Sequence, residues 1–331
     1  MIEASAPTRI DLAGGTLDLW PLHLFFGNPP TLNAAINCYA RVRLRPRRDR
    51  AVLVVSRDLK QRARFRSVDH LPERHPLELI LRLIRFYRPS RGLEVETECE
   101  APAGSGIGGS SALNIALNGA LNRLTGNRYS RSALVEIAKN IETQVIDVPA
   151  GVQDYYSALN GGVQSIRPGV EGIRVRRLAP DLGEWTRRFV LCFTGKPRAS
   201  GINNWRVYKR VIDGDGATRK QLGIIAQVAE RMERRLAGGS LQGFEQDFAA
   251  EWNARRRLAP GISTPRMDRL MARARRAGAL AAKVCGAGGG GCVAFFVSPE
   301  NRQAVARALQ NGGGTVIPFR FVQRGLRVRS V

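Results

Sequence analysis

Polar and apolar residues alternate over positions 41–44, and 51–55 run apolar, with a basic turn at 45–50 between them. This pattern predicts a β-hairpin. Over 77–87 the apolar residues Leu79, Ile80, Leu83, Ile84 and Tyr87 recur at helical spacing. Residues 93–99 alternate again, as a half-buried strand does. A second helical pattern covers 111–124 on Leu113, Ala116, Leu117, Ala120, Leu121 and Leu124, and Gly126 closes it. Ser130 is placed to cap a further helix over 132–143.

The second half is built differently. Residues 189–193 form an apolar run, and basic amphipathic helices are predicted around 221–236, 244–257 and 265–277. A glycine run at 286–291 leads into an apolar strand at 292–297. A helix over 301–310 and strands over 319–322 and 326–331 complete the chain. Strands come first and helices after, without steady βαβα alternation, so the pattern predicts an α+β fold of two lobes. Proline and glycine are frequent over 169–184, which sets the expected domains at 1–175 and 185–331.

At 331 residues and 44% hydrophobic, the chain is long enough for two cores. No apolar run approaches the ~20 residues that cross a bilayer, so no membrane partner is expected. Met1–Pro7 holds neither a basic nor an apolar stretch, so no signal peptide is expected. Five cysteines without a C-x-x-C pair read as reduced thiols in a cytoplasmic protein. With only three histidines, they also argue against zinc; His23, His70 and His75 are not expected at the site. The net charge of +24 raises nucleic acid as a partner. However, all but six of the 52 basic residues are arginine, spread along the whole chain without a tail or patch. Codon bias explains that skew, so nucleic acid is not expected as the main partner. A basic surface does favour phosphorylated small molecules.

The richest segment is Ala101–Leu113, with Gly104, Gly106, Gly108, Gly109 and Ser105, Ser110, Ser111 between a strand and a helix. Such a loop turns several backbone N–H groups, and the positive end of a helix, toward one anion. Gly104-x-Gly106-x-x-Gly109 formally matches a dinucleotide fingerprint, which also wants an acidic residue about 20 positions on. The first acid after Gly109 is Glu136, which lies too far along. A Walker loop and the H-R-D and D-F-G strings are absent. On these residues alone, a phosphate cradle and a plain glycine-rich turn remain alternatives.

Two further segments decide between them. Ala6-Pro7-Thr8-Arg9-Ile10-Asp11-Leu12-Ala13-Gly14-Gly15-Thr16-Leu17-Asp18 lies upstream, and Lys283-Val284-Cys285-Gly286 runs on through Gly291 to Cys292 downstream. With the central loop, they resemble in order the three motifs of the galactokinase, homoserine kinase, mevalonate kinase and phosphomevalonate kinase (GHMP) superfamily. The opening motif and Thr31–Ile36 are most similar to D-glycero-D-manno-heptose 7-phosphate kinases and related sugar kinases.

The resemblance implies an N-terminal lobe like the second domain of ribosomal protein S5 and a ferredoxin-like C-terminal lobe. It implies ATP and magnesium as cofactors, and a sugar or sugar phosphate as the small-molecule partner of a monomer or homodimer. Pro102, Gly104, Ser105, Gly106, Gly108, Gly109, Ser110 and Ser111 would bind the triphosphate, with support from Gly286 and Gly288. Glu142 and either Ser110 or Ser111 would hold magnesium. Asp154 would act as general base or orient the acceptor hydroxyl, and Arg9 would stabilise developing charge. Gly15, Thr16 and Asp18 would bind the acceptor, and Lys196 or Arg198 would receive a phosphate carried on it. The plainer roles are a helix cap for either serine, a solvated helix face for Glu142 and a turn for Asp154; Asp147 competes for both carboxylate roles. The chain departs from the heptose kinases by reading Gly14-Gly15-Thr16-Leu17-Asp18 in place of three glycines, Thr and Asp, and Gln153-Asp154-Tyr155 in place of Q-D-Q. Both departures fall in the expected acceptor segments. The alternatives are a mevalonate-, homoserine- or pantoate-type kinase, a non-catalytic nucleotide-binding regulator, and an RNA-binding protein.

Overall fold

The computed structural model describes residues 1–195 and 202–331. In chain order the first lobe holds β1 (Ile2–Ala13), β2 (Thr31–Pro46), β3 (Val52–Ser56), β4 (Gln61–Phe65), α1 (Glu78–Tyr87), β5 (Leu93–Cys99), α2 (Gly109–Leu124), α3 (Arg131–Ile146), α4 (Gln153–Asn160), β6 (Val163–Gly169) and β7 (Gly172–Leu178). After α5 (Leu182–Arg187) come β8 (Phe189–Phe193), α6 (Ile202–Ile212), α7 (Gly216–Ala237), α8 (Phe244–Arg255) and α9 (Pro265–Arg276). The remaining elements are β9 (Ala279–Val284), β10 (Cys292–Val297), α10 (Arg302–Asn311), β11 (Thr315–Ile317) and β12 (Arg327–Ser330).

The first sheet runs β12-β1-β2-β5-β3-β4, with β6 also on β2 and β7 on β6. The second is antiparallel, in the order β11-β8-β10-β9. The hairpin expected over 41–55 does not form. Strand β5 enters between its two arms, antiparallel to β2 and parallel to β3. Burial and charge both favour this order: Val42, Leu44, Val52, Val54, Leu93 and Val95 share one core. Register places Arg41, Arg43 and Arg45 opposite Glu98, Glu96 and Glu94, and opposite charges facing across a ladder stabilise it.

Helix α2 is buried along most of its length and packs on this sheet with α1, α3 and α4. Ser130 caps α3, as its position predicts, by accepting from the Ala133 N–H at 3.2 Å. The chain end then returns: β12 pairs with β1, and Phe321 bridges to Ile36. The segment expected in the C-terminal domain therefore completes the sheet of the first lobe. Gly119 on α2 admits this segment; a Cβ there would stand 2.8 Å from Leu326. A shared core ties the lobes together, with Ile10, Leu12 and Leu32 from one packed with Phe189, Phe244 and Phe296 from the other. A further core holds Leu17, Leu19 and Leu22 of the loop after β1 against the second lobe.

Candidate active site

Strand β1 carries Arg9 and Asp11 to the junction of the lobes. There the glycine loop meets it: the Arg9 backbone N–H donates to the Ile107 carbonyl at 3.0 Å. Gly104, Gly106 and Gly108 all lie at φ between 67° and 79°, a region that glycine enters without Cβ strain. At Gly108 a close approach adds to this, since a Cβ would face the Asp154 carboxylate at 3.3 Å. The loop is braced from behind by the third motif. The Cys292 N–H donates to the Ser105 carbonyl at 2.7 Å.

Two cavities meet at this junction. The larger, about 410 Å³, follows the loop from Pro102 to Ser111 and ends among Leu59, His75 and Leu77–Ile80. The smaller, about 90 Å³, is walled by Arg9, Asp11, Thr16, Asp18, Asn204 and Arg255, among others. Ser111, Glu142 and Asp154 line both.

Asp154 stands in the first turn of α4, and Arg9 grips it through Nε at 2.7 Å and its second nitrogen at 2.5 Å. The remaining arm of Arg9 donates to the Gly106 carbonyl at 2.8 Å. Burial opposes the charge on Arg9, but the Asp154 and Asp11 carboxylates outweigh it and raise its pKa. Such bonds orient a guanidinium and a carboxylate rigidly.

Glu142 is buried on α3 and collects three hydroxyls: Ser110 at 2.7 Å, Ser111 at 3.2 Å and Tyr155 at 2.7 Å. Burial pushes its carboxyl above the usual range, and these bonds hold it back. The serines do not cap α2, whose N-cap is Gly108. Asp147 ends α3 in a left-handed turn, which leaves it exposed and paired with Arg74 at 3.3 Å. It reaches neither cavity.

Asp18 is spent largely on the protein. Its Oδ2 accepts from the N–H groups of Val152 at 2.7 Å and Gln153 at 3.0 Å, pinning the start of α4 beneath Asp154. Burial raises its pKa, and those amides oppose the rise. Thr16 and Asp18 line the smaller cavity, whereas Gly15 does not and offers its carbonyl to Arg255 at 2.8 Å. Pro102, Gly104, Ser105, Gly106, Gly108, Gly109, Ser110 and Ser111 all line the larger one. Gly286 lies on the wall of the smaller cavity, with its N–H on Asp11 at 3.3 Å. Gly288 borders neither and packs on Ile262. Lys196 and Arg198 fall outside the described residues.

Tyr155 and Lys283 had no sequence signal beyond their places in the motifs, and Asn204 and Arg255 had none. Lys283 and Arg255 are buried beside Asp11, where burial would raise the Asp11 carboxyl. Lys283, Arg9 and Arg255 outweigh that and hold it down at about 2. His75, not expected at the site, lines the larger cavity, its Nδ1 accepting from the Leu77 N–H at 3.0 Å.

Residues 75–162 match the model of the GHMP kinase N-terminal domain, and residues 232–314 that of the GHMP kinase C-terminal domain. The chain belongs to the GHMP kinases. It is a small-molecule kinase, and kinases of this family use ATP. It is 26% identical over 98% of both chains to a D-glycero-alpha-D-manno-heptose 7-phosphate kinase of Campylobacter jejuni. A mevalonate kinase of Thermococcus gammatolerans is also 26% identical, over 100% of this chain and 99% of its own. The fold of this GHMP kinase is that of a D-glycero-D-manno-heptose 1-phosphate kinase from Bacteriodes thetaiotaomicron, with a TM-score of 0.77 and 24% identity over 100% and 99% of the two chains. Among the described residues no helix is long and apolar enough to cross a membrane.

Proposed function

We propose that this kinase moves the terminal phosphoryl group of ATP to a hydroxyl of a sugar or sugar phosphate. One observation carries the reading: the Arg9–Asp154 pair stands where the long glycine-loop cavity opens into the small polar one. The triphosphate lies in the larger cavity, along the N–H groups of Gly104–Ser111 and the start of α2, and the acceptor enters the smaller. That smaller cavity is walled by Asp11, Asp18, Glu142 and Asp154 against Arg9 and Arg255. Its excess of carboxylates suits the neutral hydroxyl-bearing part of an acceptor and leaves any phosphate of that acceptor toward the mouth.

Phosphoryl transfer needs positioning and charge neutralisation more than covalent help from the protein. Asp154 orients the acceptor hydroxyl and takes its proton. Arg9 fixes Asp154 and lies beside the developing phosphoryl charge. Asp18 holds the helix start on which Asp154 stands.

Magnesium prefers oxygen ligands, often one carboxylate completed by phosphate and water. Among the described residues no group of three or more His, Cys, Asp or Glu is placed to hold a metal. The donor set of Glu142 with the hydroxyls of Ser110 and Ser111 fits a magnesium shared with phosphate. Bound there, the ion neutralises phosphate charge. Ser110 and Ser111 both reach Glu142, so either hydroxyl is near enough to complete the set.

The test is ADP release with a panel of sugars and sugar phosphates, including heptose 7-phosphate, with mevalonate as the comparison acceptor. Turnover of a sugar phosphate is expected; turnover confined to mevalonate would replace the sugar reading.

A further inference from the structure

Thr16 is a β-branched residue at φ 76°. Such a residue is strained in the left-handed region and stays there only when its surroundings hold it. Within the turn the Leu19 N–H donates to the Thr16 carbonyl and the Leu17 N–H to that of Gly14, both at 3.2 Å, and the groups that hold the Thr16 side chain come from the other lobe. Arg255 donates through one terminal nitrogen to Thr16 Oγ1 at 3.2 Å and through the other to the Gly15 carbonyl at 2.8 Å. Thr16 Oγ1 in turn donates to Asn204 Oδ1 at 3.2 Å.

Arg255 is itself fixed. It is 2% exposed, and Glu251 Oε1 accepts from it twice, at 2.9 and 2.6 Å. The other oxygen of Glu251 stands 3.8 Å from Lys283, whose Nζ is 2.7 Å from Asp11. Asp11, Lys283, Glu251 and Arg255 thus form a buried line of alternating charge. It leaves β1 at Asp11, crosses β9 and α8, and returns to the same segment at Gly15–Thr16. The line brackets the turn between Asp11 and Thr16 from the second lobe.

We infer that Arg255 is the positioning residue of the acceptor site. It holds the 14–18 turn in its strained form, so that Thr16 and Asp18 face the small cavity, and it does not act on the nucleotide. This rests on reading the small cavity as the acceptor site. It assigns to the second lobe control over acceptor affinity that the motif residues of the first lobe do not supply.

The test compares Arg255→Lys, Asn204→Ala and the double variant. Lysine keeps a positive charge against Glu251 but cannot reach Gly15 and Thr16 at the same time, because it lacks the planar fork. Asn204→Ala leaves the ion line whole and removes the second partner of Thr16, so it carries the test if Arg255→Lys does not fold. Steady-state kinetics are read with hydrogen exchange of the segment 14–20 in the free protein. We expect Arg255→Lys to raise the acceptor KM about tenfold or more, and Asn204→Ala about fivefold, with the ATP KM within about twofold in both. Because both act through Thr16, the double variant should fall short of the product of the two effects. Exchange over 14–20 should be faster in Arg255→Lys. An ATP KM that rises in step with the acceptor KM would overturn the inference, as would multiplicative effects. So would unchanged exchange in a folded Arg255→Lys protein. Faster exchange in a protein that phosphorylates no sugar would overturn the acceptor reading of the cavity and leave the clamp standing.

Discussion

Replacing Gly291 with alanine tests whether the third motif serves the nucleotide by bracing the central loop. Gly291 lies at φ 86°, and a Cβ there would stand 2.5 Å from the Ser105 carbonyl oxygen and 3.0 Å from that of Gly104. Both atoms are backbone of the central glycine loop, so no side chain can swing aside. Ordinary contact requires the loop to retreat by about 1 Å, a displacement that can cost about 100-fold in function. The left-handed backbone adds about 1–2 kcal/mol for alanine. A weakened Cys292–Ser105 hydrogen bond adds about 1 kcal/mol. The stability loss is therefore about 2–3 kcal/mol, a fall of several degrees in Tm for a chain of this size. Gly289→Ala is the control. It lies at φ 81°, but its nearest atom is the Asn203 side-chain amide at 2.9 Å, away from the loop. Thermal unfolding should show both variants destabilised. Kinetics should show the ATP KM raised at least tenfold only in Gly291→Ala, with the acceptor KM little changed. Equal ATP KM values in the two variants would refute the bracing argument.

Three further outcomes follow from the same geometry. Asp154→Asn should keep the fold and the ATP KM and lower kcat by about 10²–10⁴; unchanged turnover would remove Asp154 from the mechanism. Glu142→Gln should be at least as stable as the parent at neutral pH, because burial raises the Glu142 carboxyl and ionising it in place opposes folding. It should also need more magnesium for half-maximal rate, and a drop in Tm with unaltered magnesium dependence would count against the assignment. The Asp11 carboxyl is lowered from 3.8 to about 2. A lowered carboxyl stabilises the fold above its unfolded pKa, so about 2 kcal/mol of stability should vanish as pH falls from about 4 to about 2. Denaturant titrations should lose that step in Asp11→Asn.

The three motifs were legible because each is a contiguous run that relies on glycine, and the central one walls the larger cavity, whereas Gly286 lines the smaller and Gly288 borders neither. Helices with one apolar face were legible for a related reason, since 3.6-residue spacing is a local property. What pairs with what was not. Nothing within 41–55 states that β5 enters between its arms; that depends on the apolar and acidic residues of 93–99, about fifty residues away. The same holds for Arg255, one arginine among many, which matters only because α8 and the loop after β1 meet in space. Asp147 and Asp154 look equivalent as carboxylates near the end of α3. They are separated by one left-handed residue that turns the first outward and a helix start that aims the second inward.

The return of β12 to β1 means that the second lobe is an excursion from the first, joined by an outward and a homeward stretch of chain. A lobe on one tether can swing, twist and drift. A lobe on two, with Phe189, Phe244 and Phe296 sunk into a common core, is restrained at both attachments and across the face between them. The shared core and double tether should couple the unfolding of the two lobes, which coincident transitions by two probes would check. A ligand bound in the cleft should stabilise the sheet edge at β12 as firmly as the loop it touches.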